Sequence, residues 1–227
     1  MMRTESKDNE ESIQRWLDKE VEDGENTILV YPNTQSFRQI YTKYVQDHLA
    51  ASREQEVEED NNNNNNNNNS RYNNKQSNPR IILIAPFYET VDSVKHHLNA
   101  FGVESVQALI DSGSLLIVDS FHSFFPDPNG MKKLIDSLSE RARKEGRVGV
   151  TAIVDMGFFF LFGGDSKAAD LISYEASLAP KTQDGNVKGV SCYHWGNYET
   201  LTERDKELLT QGQKKKLLEV RETRNYS

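Results

Sequence analysis

The stretch RIILIAPF, residues 80–87, decides the fold class of this chain. It is continuously apolar, a pattern typical of a strand that is buried on both faces of a parallel sheet. Outward from it, comparable runs occur at 27–31 (TILVY), 114–119 (SLLIVD), 148–156 (VGVTAIVDM) and 187–195 (VKGVSCYHW). Helical patterns separate these runs. The sequence therefore predicts an α/β fold, with a mostly parallel sheet of five or slightly more strands covered by helices on both faces in three layers.

The segments between the strands differ in how strongly they indicate helices. The clearest is MKKLIDSLSERARKEG at 131–146, whose apolar residues recur at helical spacing. The C-terminal string at 199–220, ETLTERDKELLTQGQKKKLLEV, predicts one final helical stretch. By contrast, FHSFFPDPNG at 121–130 and MGFFFLFGG at 156–164 directly follow predicted strands and are expected to be loops.

Composition along the chain predicts three regions. We expect an amphipathic helical extension at 1–23, an α/β domain at 24–200, and a C-terminal helix with a tail at 201–227. Residues 52–79 lose all apolar periodicity and contain nine consecutive asparagines at 61–69. Such a segment cannot bury enough apolar surface to offset the entropy of ordering it, so we expect a disordered insertion there.

Charge and cysteine content restrict the classes of function. The chain carries 27 Lys and Arg against 35 Asp and Glu, a formal net charge of −8, which argues against nucleic-acid binding. Cys192 is the only cysteine, so neither an intrachain disulfide nor a multi-cysteine metal site can form. No apolar run approaches the ~20 residues that span a bilayer, and the N-terminus lacks the apolar segment of a secretory signal. We therefore expect a cytoplasmic protein that does not bind membranes.

The turn after the first strand does not have the sequence of a nucleotide site. A phosphate-binding loop needs GxxxxGK[ST] between a strand and its helix, so that backbone N–H groups wrap the phosphates. Here that turn reads YPNTQSFRQ at 31–39, with no glycine, no lysine and one proline, and GxGxxG does not occur in the chain. We therefore expect no nucleotide cofactor, and the histidines and carboxylates do not assemble into a convincing metal site.

Candidate ligand-binding residues follow the predicted strands, because ligands of parallel sheets lie beyond the carboxyl ends of the strands. Tyr31, Asp119, His122 and Asp155 all fall within three residues of such an end. They offer an aromatic wall, two acceptors and one titratable donor. Their alternative role is structural, since an aspartate at a strand end often caps the next turn.

Three phenylalanines directly after the fourth strand admit two interpretations. Phe158, Phe159 and Phe160 could supply the apolar lining of a small-molecule pocket or a surface for a partner protein. They could equally continue the hydrophobic core. The sequence does not distinguish these roles.

Several segments together resemble the MEDS domain (methanogen/methylotroph DcmR sensory domain), a sensor family related to the RecA/KaiC fold. The resemblance rests on HLNAFGVESVQALIDSGSLLIVDS, on the helix MKKLIDSLSERARKEG leading into VGVTAIVDMGFFF, on ISYEASL and on VSCYHWGNY. Within ISYEASL, Tyr174 and Glu175 match the tyrosine–glutamate pair of the family helix. Where members often carry a glutamate at the end of the fourth strand, this chain has Asp155.

The resemblance implies a RecA-like sheet whose nucleotide site has decayed and which senses small molecules such as hydrocarbon derivatives. We accordingly expect a stand-alone sensory module that binds a small ligand, has no catalytic activity, and signals through a partner protein or a second copy of itself. Two other classes stay open: a divergent metal- or nucleotide-dependent hydrolase that uses Asp119 and Asp155, and a protein-interaction scaffold.

Overall fold

The computed structural model of the chain describes residues 26–63, 80–125, 127, 129–183, 186–211 and 216–219. Within these residues the strands are β1 (Asn26–Tyr31), β2 (Ile81–Ala85), β3 (Leu115–Ile117), β4 (Val150–Asp155), β5 (Val187–His194) and β6 (Lys216–Glu219). The helices are α1 (Thr34–Asn63), α2 (Val91–Ala100), α3 (Val106–Asp111), α4 (Ser120–Phe124), α5 (Gly130–Lys144), α6 (Gly157–Phe162), α7 (Lys167–Gln183), α8 (Trp195–Tyr198) and α9 (Glu203–Gln211).

The strands form one sheet in the order β3-β2-β4-β5-β1-β6, and each neighbouring pair is parallel. Parallel strands need crossover connections, which here are the helices. A first core lies between the sheet and α1–α3, and a second core lies between the sheet and α4–α9. The predicted three-layer α/β fold is therefore confirmed.

Strand β4 shows how the sequence divides between the two cores. All six of its residues are buried, because neighbouring strands flank both of its edges and helices cover both of its faces. Ile153 belongs to the first core, while Ala152 and Val154 belong to the second. Since side chains alternate along a strand, Asp155 shares the face of Ile153 and lies on the side of α1–α3.

The C-terminal prediction was wrong in part. The predicted helical stretch at 199–220 is instead interrupted: α9 ends at Gln211, and β6 pairs in parallel with β1 through Lys216–Glu219. Glycine, which is weakly helix-forming, follows Gln211 in the sequence. Periodicity alone cannot distinguish a short apolar run such as KLLE in a strand from the same run in a helix.

The boundary of the predicted insertion was also wrong. Helix α1 continues through Asn63, twelve residues into the segment that was expected to be disordered from 52 onward. The string ASREQEVEE at 51–59 consists largely of residues with high helix propensity, which favours a helix even without an apolar face. The rest of the predicted insertion, 64–79, and the predicted helical extension at 1–23 lie outside the described residues.

Two segments predicted as loops contain helices. The segment at 121–130 contains most of α4 and the first residue of α5, and the phenylalanine-rich segment at 156–164 contains α6. Their helical form decides which phenylalanines face the core. In the described part of the chain, no helix is both long enough and apolar enough to cross a bilayer.

Candidate functional site at the carboxyl edge of the sheet

The strand order creates three crevices at the carboxyl edge of the sheet. The chain leaves β2 towards the α1–α3 side, and it leaves both neighbours of β2, the strands β3 and β4, towards the α4–α9 side. The same divergence separates β5 from β1. Ligands of open α/β sheets bind where neighbouring connections diverge in this way, so the ends of these five strands are the place to examine.

Asp155 lies at the centre of this edge and is fully buried. Its Oδ2 atom accepts a 2.7 Å hydrogen bond from the Tyr31 hydroxyl, and its Oδ1 atom accepts a 3.0 Å bond from the Gly157 N–H. The backbone N–H of Phe87 also donates to this carboxyl group. Asp155 therefore ties together the ends of three elements: β1, the β2–α2 loop and the β4–α6 turn.

Burial and hydrogen bonding oppose each other at Asp155. Removal from water disfavours the charged form, and this desolvation raises the pKa of Asp155 to about 7. The hydrogen bonds from Tyr31, Gly157 and Phe87 each lower that pKa, while the charge of Glu89 raises it further. The carboxyl group therefore titrates near neutral pH even though three donors hold it.

The Tyr31 side chain connects the ends of two strands that are not neighbours in the sheet. It ends β1 and reaches the carboxyl group at the end of β4, although β5 lies between these two strands. Its ring stacks on Phe37 at 5.1 Å and meets the edge of His194 at 5.6 Å. Burial and the neighbouring Asp155 raise the pKa of the Tyr31 hydroxyl, so it stays protonated and donates.

The β2–α2 loop, residues 86–90, is fixed at several points. Besides the bond from Phe87 to Asp155, the buried Glu89 carboxylate accepts from Arg38 Nε at 2.8 Å and from Ser93 Oγ at 2.9 Å. Thr90 caps α2 by accepting the Ser93 N–H. The loop is thus anchored to α1, α2 and β4.

Gly157 allows Phe87 to lie close to the start of α6. A Cβ atom at position 157 would lie only 2.3 Å from Phe87 Cδ1 and 2.7 Å from its Cγ. A side chain there would displace Phe87 and with it the loop that Asp155 holds. Position 157 therefore requires glycine, because the Phe87 ring lies too close to leave room for a side chain.

Tyr88, His194 and Asn197 form the exposed part of the site, which we call the edge triad. The Tyr88 and His194 rings lie 5.7 Å apart at an angle of 58°, and Asn197 Nδ2 donates to the Tyr88 hydroxyl oxygen at 2.6 Å. Tyr88 follows β2, His194 ends β5 and Asn197 lies in α8, so the contacts cross the end of β4. The edge triad therefore lies above the buried Tyr31–Asp155 pair. Burial raises the pKa of Tyr88, the hydrogen bond from Asn197 lowers it, and the nearby Asp155 charge raises it further.

Asp119 and His122 lie elsewhere on the carboxyl edge. Asp119 caps α4 by accepting the Phe121 N–H at 2.8 Å, and its other oxygen lies 2.9 Å from His122 Nδ1. Both side chains are largely exposed, and β2 separates β3 from β4 in the sheet. Asp119 therefore has the capping role that the sequence left open, and it does not share a site with Asp155.

The three phenylalanines of the predicted lining lie on the other side of the sheet from Tyr31. Phe158 and Phe159 are buried in the second core, where Phe159 contacts Phe124 at 5.2 Å and Tyr174 at 5.3 Å. Phe160 is partly buried and packs against the same core. Their positions are those of core residues, the second of the two interpretations left open by the sequence.

Tyr174 and Glu175, the pair matched to the family helix, lie on α7 within the second core. The buried Glu175 carboxylate accepts a 2.6 Å hydrogen bond from the Tyr193 hydroxyl on β5. Burial, and after it the charge of Glu175, raises the pKa of Tyr193, which keeps that hydroxyl a donor. This buried contact joins α7 to the sheet and lies apart from the edge triad.

Aromatic side chains also form an exposed apolar surface near α4 and α6. Phe125 and Phe162 are 59% and 51% exposed, and the ring of Phe121 lies 5.5 Å and 5.1 Å from them. Leu161 on the same helix as Phe162 is also largely exposed. Contiguous apolar surface of this kind marks contact sites more often than isolated residues do.

Among the described residues, no group of three or more His, Cys, Asp or Glu side chains is arranged to hold a metal ion. The ligand-binding candidates named from the sequence do not include Tyr88, His194 or Asn197. Only the strand order brings the ends of β2 and β5 on either side of β4. No signal in the sequence specifies that order.

Comparison of the chain with protein-family models and with curated proteins finds no match. The resemblance to the MEDS domain therefore stays a prediction from sequence motifs, and the functional argument rests on the geometry of the carboxyl edge.

Proposed function

We propose that this protein is a non-catalytic sensory module that binds a small molecule at the carboxyl edge of its sheet. The observation that carries the proposal is the contact of the edge triad across the end of β4, above the buried Tyr31–Asp155 pair. Small-molecule sites combine aromatic surface with a few fixed polar groups, and the triad has this composition. The resemblance to the MEDS domain supports the same class of function.

The link between β1 and α1 supports a ligand other than a nucleotide. It consists of Pro32 and Asn33 alone, and the Asn33 side chain accepts the Ser36 N–H at 2.9 Å. So short a link cannot wrap phosphates, and the proline lacks an N–H donor. The RecA-like ancestry implied by the resemblance is therefore proposed without its nucleotide chemistry.

The positions of the two aspartates weaken the hydrolase alternative. Asp155 is buried with both oxygens accepting hydrogen bonds, and Asp119 caps α4 two strands away. Catalytic carboxylates that share a substrate or a metal must face a common space. These two carboxylates do not.

A protein-interaction role is the second candidate, and the apolar surface around Phe121, Phe125 and Phe162 favours it. Such a surface could transmit the state of the edge triad to a partner, because α6 follows directly from Asp155. The two roles are compatible within one signalling protein.

A thermal-shift screen across nucleotides, divalent metals and small organic compounds tests the proposed function. A ligand of the native state raises stability by RT ln(1 + [L]/Kd), or about 2.7 kcal/mol at a hundredfold excess over Kd. We expect organic compounds to raise Tm by several degrees and ATP to have no effect. Saturable micromolar ATP binding that is lost in Asp119→Ala, or ATP hydrolysis, would contradict the proposal. A screen without any stabilising compound would instead favour the interaction role.

A further inference from the structure

The tautomer of the neutral His194 ring follows from its backbone contact. Its Nδ1 atom accepts a 3.2 Å hydrogen bond from the Gly196 N–H, so in the neutral ring the proton is on Nε2. Among the described residues, Nε2 has no hydrogen-bond partner. His194 therefore presents one N–H donor from a ring whose orientation is fixed by the backbone.

Tyr88 presents a second donor beside it. Its hydroxyl oxygen accepts from Asn197 Nδ2 at 2.6 Å, and no described acceptor takes its proton. Tyr88 is 47% exposed, and the anchored loop beneath it limits how far the ring can move. Two donors thus lie on neighbouring rings whose centroids are 5.7 Å apart.

The surrounding charges determine which acceptor these donors favour. Glu89 in the same loop is paired with Arg38, and the buried Asp155 carboxyl group has a pKa of about 7. The charge that Asp155 carries above this pKa, together with the net charge of −8, disfavours an anionic ligand here. A neutral oxygen acceptor such as an amide or ketone carbonyl takes the two donors without this repulsion.

The tilted rings of Tyr88 and His194 add an apolar surface against which a flat ligand can stack. The ring surface and the two donors together specify the chemistry of the ligand, which the proposed sensory function leaves undefined. We infer that the edge triad binds a neutral, planar organic carbonyl compound, whose oxygen accepts from the Tyr88 hydroxyl and from His194 Nε2–H. This inference rests on the proposed function and specifies the ligand of the same site.

Binding of three small aromatic probes, measured by NMR titration of the full chain, tests the inference. Benzamide carries a neutral carbonyl, benzoate carries an anionic acceptor, and benzylammonium carries only donors. We expect benzamide to bind most tightly and to shift the backbone amides of Tyr88, Gly196 and Asn197. Tighter binding of benzoate or benzylammonium at this place would overturn the inference.

Two substitutions remove one donor each while keeping the local fold. Tyr88→Phe keeps the ring and loses the hydroxyl. His194→Asn keeps an acceptor at the position that caps α8 and loses the Nε2–H donor. We expect each substitution to weaken benzamide binding about fivefold, the effect of one net hydrogen bond. The matched control is His122→Asn on α4, which should leave benzamide affinity unchanged.

The outcomes separate this inference from the proposed function. Benzamide affinity that is unchanged in both Tyr88→Phe and His194→Asn would overturn the inference, and so would loss of binding in His122→Asn alone. Compounds from the thermal-shift screen that still shift amides at this edge would then leave the proposed function standing. If neither the probes nor the screened compounds shift any of these amides, both proposals fail.

Discussion

Replacing Asp155 with alanine should destabilise the ligand-free protein by about 3 kcal/mol. The substitution leaves the Tyr31 hydroxyl and the N–H groups of Gly157 and Phe87 without their acceptor inside the protein. An unsatisfied buried donor costs about 1–3 kcal/mol, and local relaxation recovers part of the total. For a domain of this size, 3 kcal/mol corresponds to a decrease in Tm of roughly 6–12 °C, measurable by calorimetry.

Asp119→Ala is the matched control, because both aspartates follow a strand. Asp119 caps α4 at an exposed position, so its loss should cost about 1 kcal/mol or less. Equal melting temperatures for Asp155→Ala and Asp119→Ala would show that Asp155 does not hold the carboxyl edge together.

The pH dependence of the same site provides a second readout. The folded-state pKa of Asp155, about 7, lies above its ordinary value of 3.8. Between these values the native state binds the proton more strongly than the unfolded state does, so this stabilising contribution is complete below about pH 4 and is lost as the pH rises through about 7. The stability difference between the wild type and Asp155→Asn should therefore be larger at pH 5 than at pH 8.

Phe159→Ala should be equally damaging, at about 3–4 kcal/mol. Phe159 is 3% exposed and packs against the rings of Phe124, Phe158 and Tyr174 in the second core. Truncation removes this apolar contact and leaves a cavity, which adds to the lost transfer free energy. Urea unfolding of both forms measures the change, with the slope of the transition expected to stay constant.

Phe162→Ala provides the comparison on the same helix. Phe162 is half exposed, so its truncation should cost less than about 1 kcal/mol. If Phe159→Ala instead left stability unchanged and abolished the binding of a screened compound, the phenylalanines would line a ligand pocket rather than the core.

The sequence was sufficient to predict the five strands β1–β5, because each is an apolar run between helical segments. It could not predict β6, since KLLE at 216–219 is too short for periodicity to separate a strand from a helix. The partnership of Tyr31 with Asp155 spans 124 residues and depends on the strand order β4-β5-β1. Residues at strand ends could be named from the sequence, but their neighbours across the sheet could not.

The phenylalanines illustrate a second limit of sequence reasoning. If 156–164 were a loop, its side chains would not share a defined face. The phenylalanines could then line a pocket or fill the core equally well. As helix α6, it turns Phe158 and Phe159 into the core and leaves Leu161 and Phe162 exposed. The assignment therefore needed the backbone conformation as well as the composition.

The three residues of the edge triad could be identified only from the three-dimensional structure. Tyr88 matters because Asp155 holds the backbone of Phe87, and His194 matters because the Gly196 N–H fixes the orientation and the tautomer of its neutral ring. Neither contact follows from a motif. The candidate site was located to one edge of the sheet by the sequence, and its chemistry was specified by the structure.

The central claim is that a small molecule binds at the carboxyl edge above Asp155. The most direct measurement is a ¹H–¹⁵N correlation spectrum of the full chain, titrated with the compound that raises Tm most in the thermal-shift screen. The account predicts saturable shifts of the backbone amides at 87–90, 155–157 and 194–197, with smaller changes elsewhere. Saturable shifts confined to 119–125 and 158–162, with the amides around Tyr88 and His194 unchanged, would contradict it.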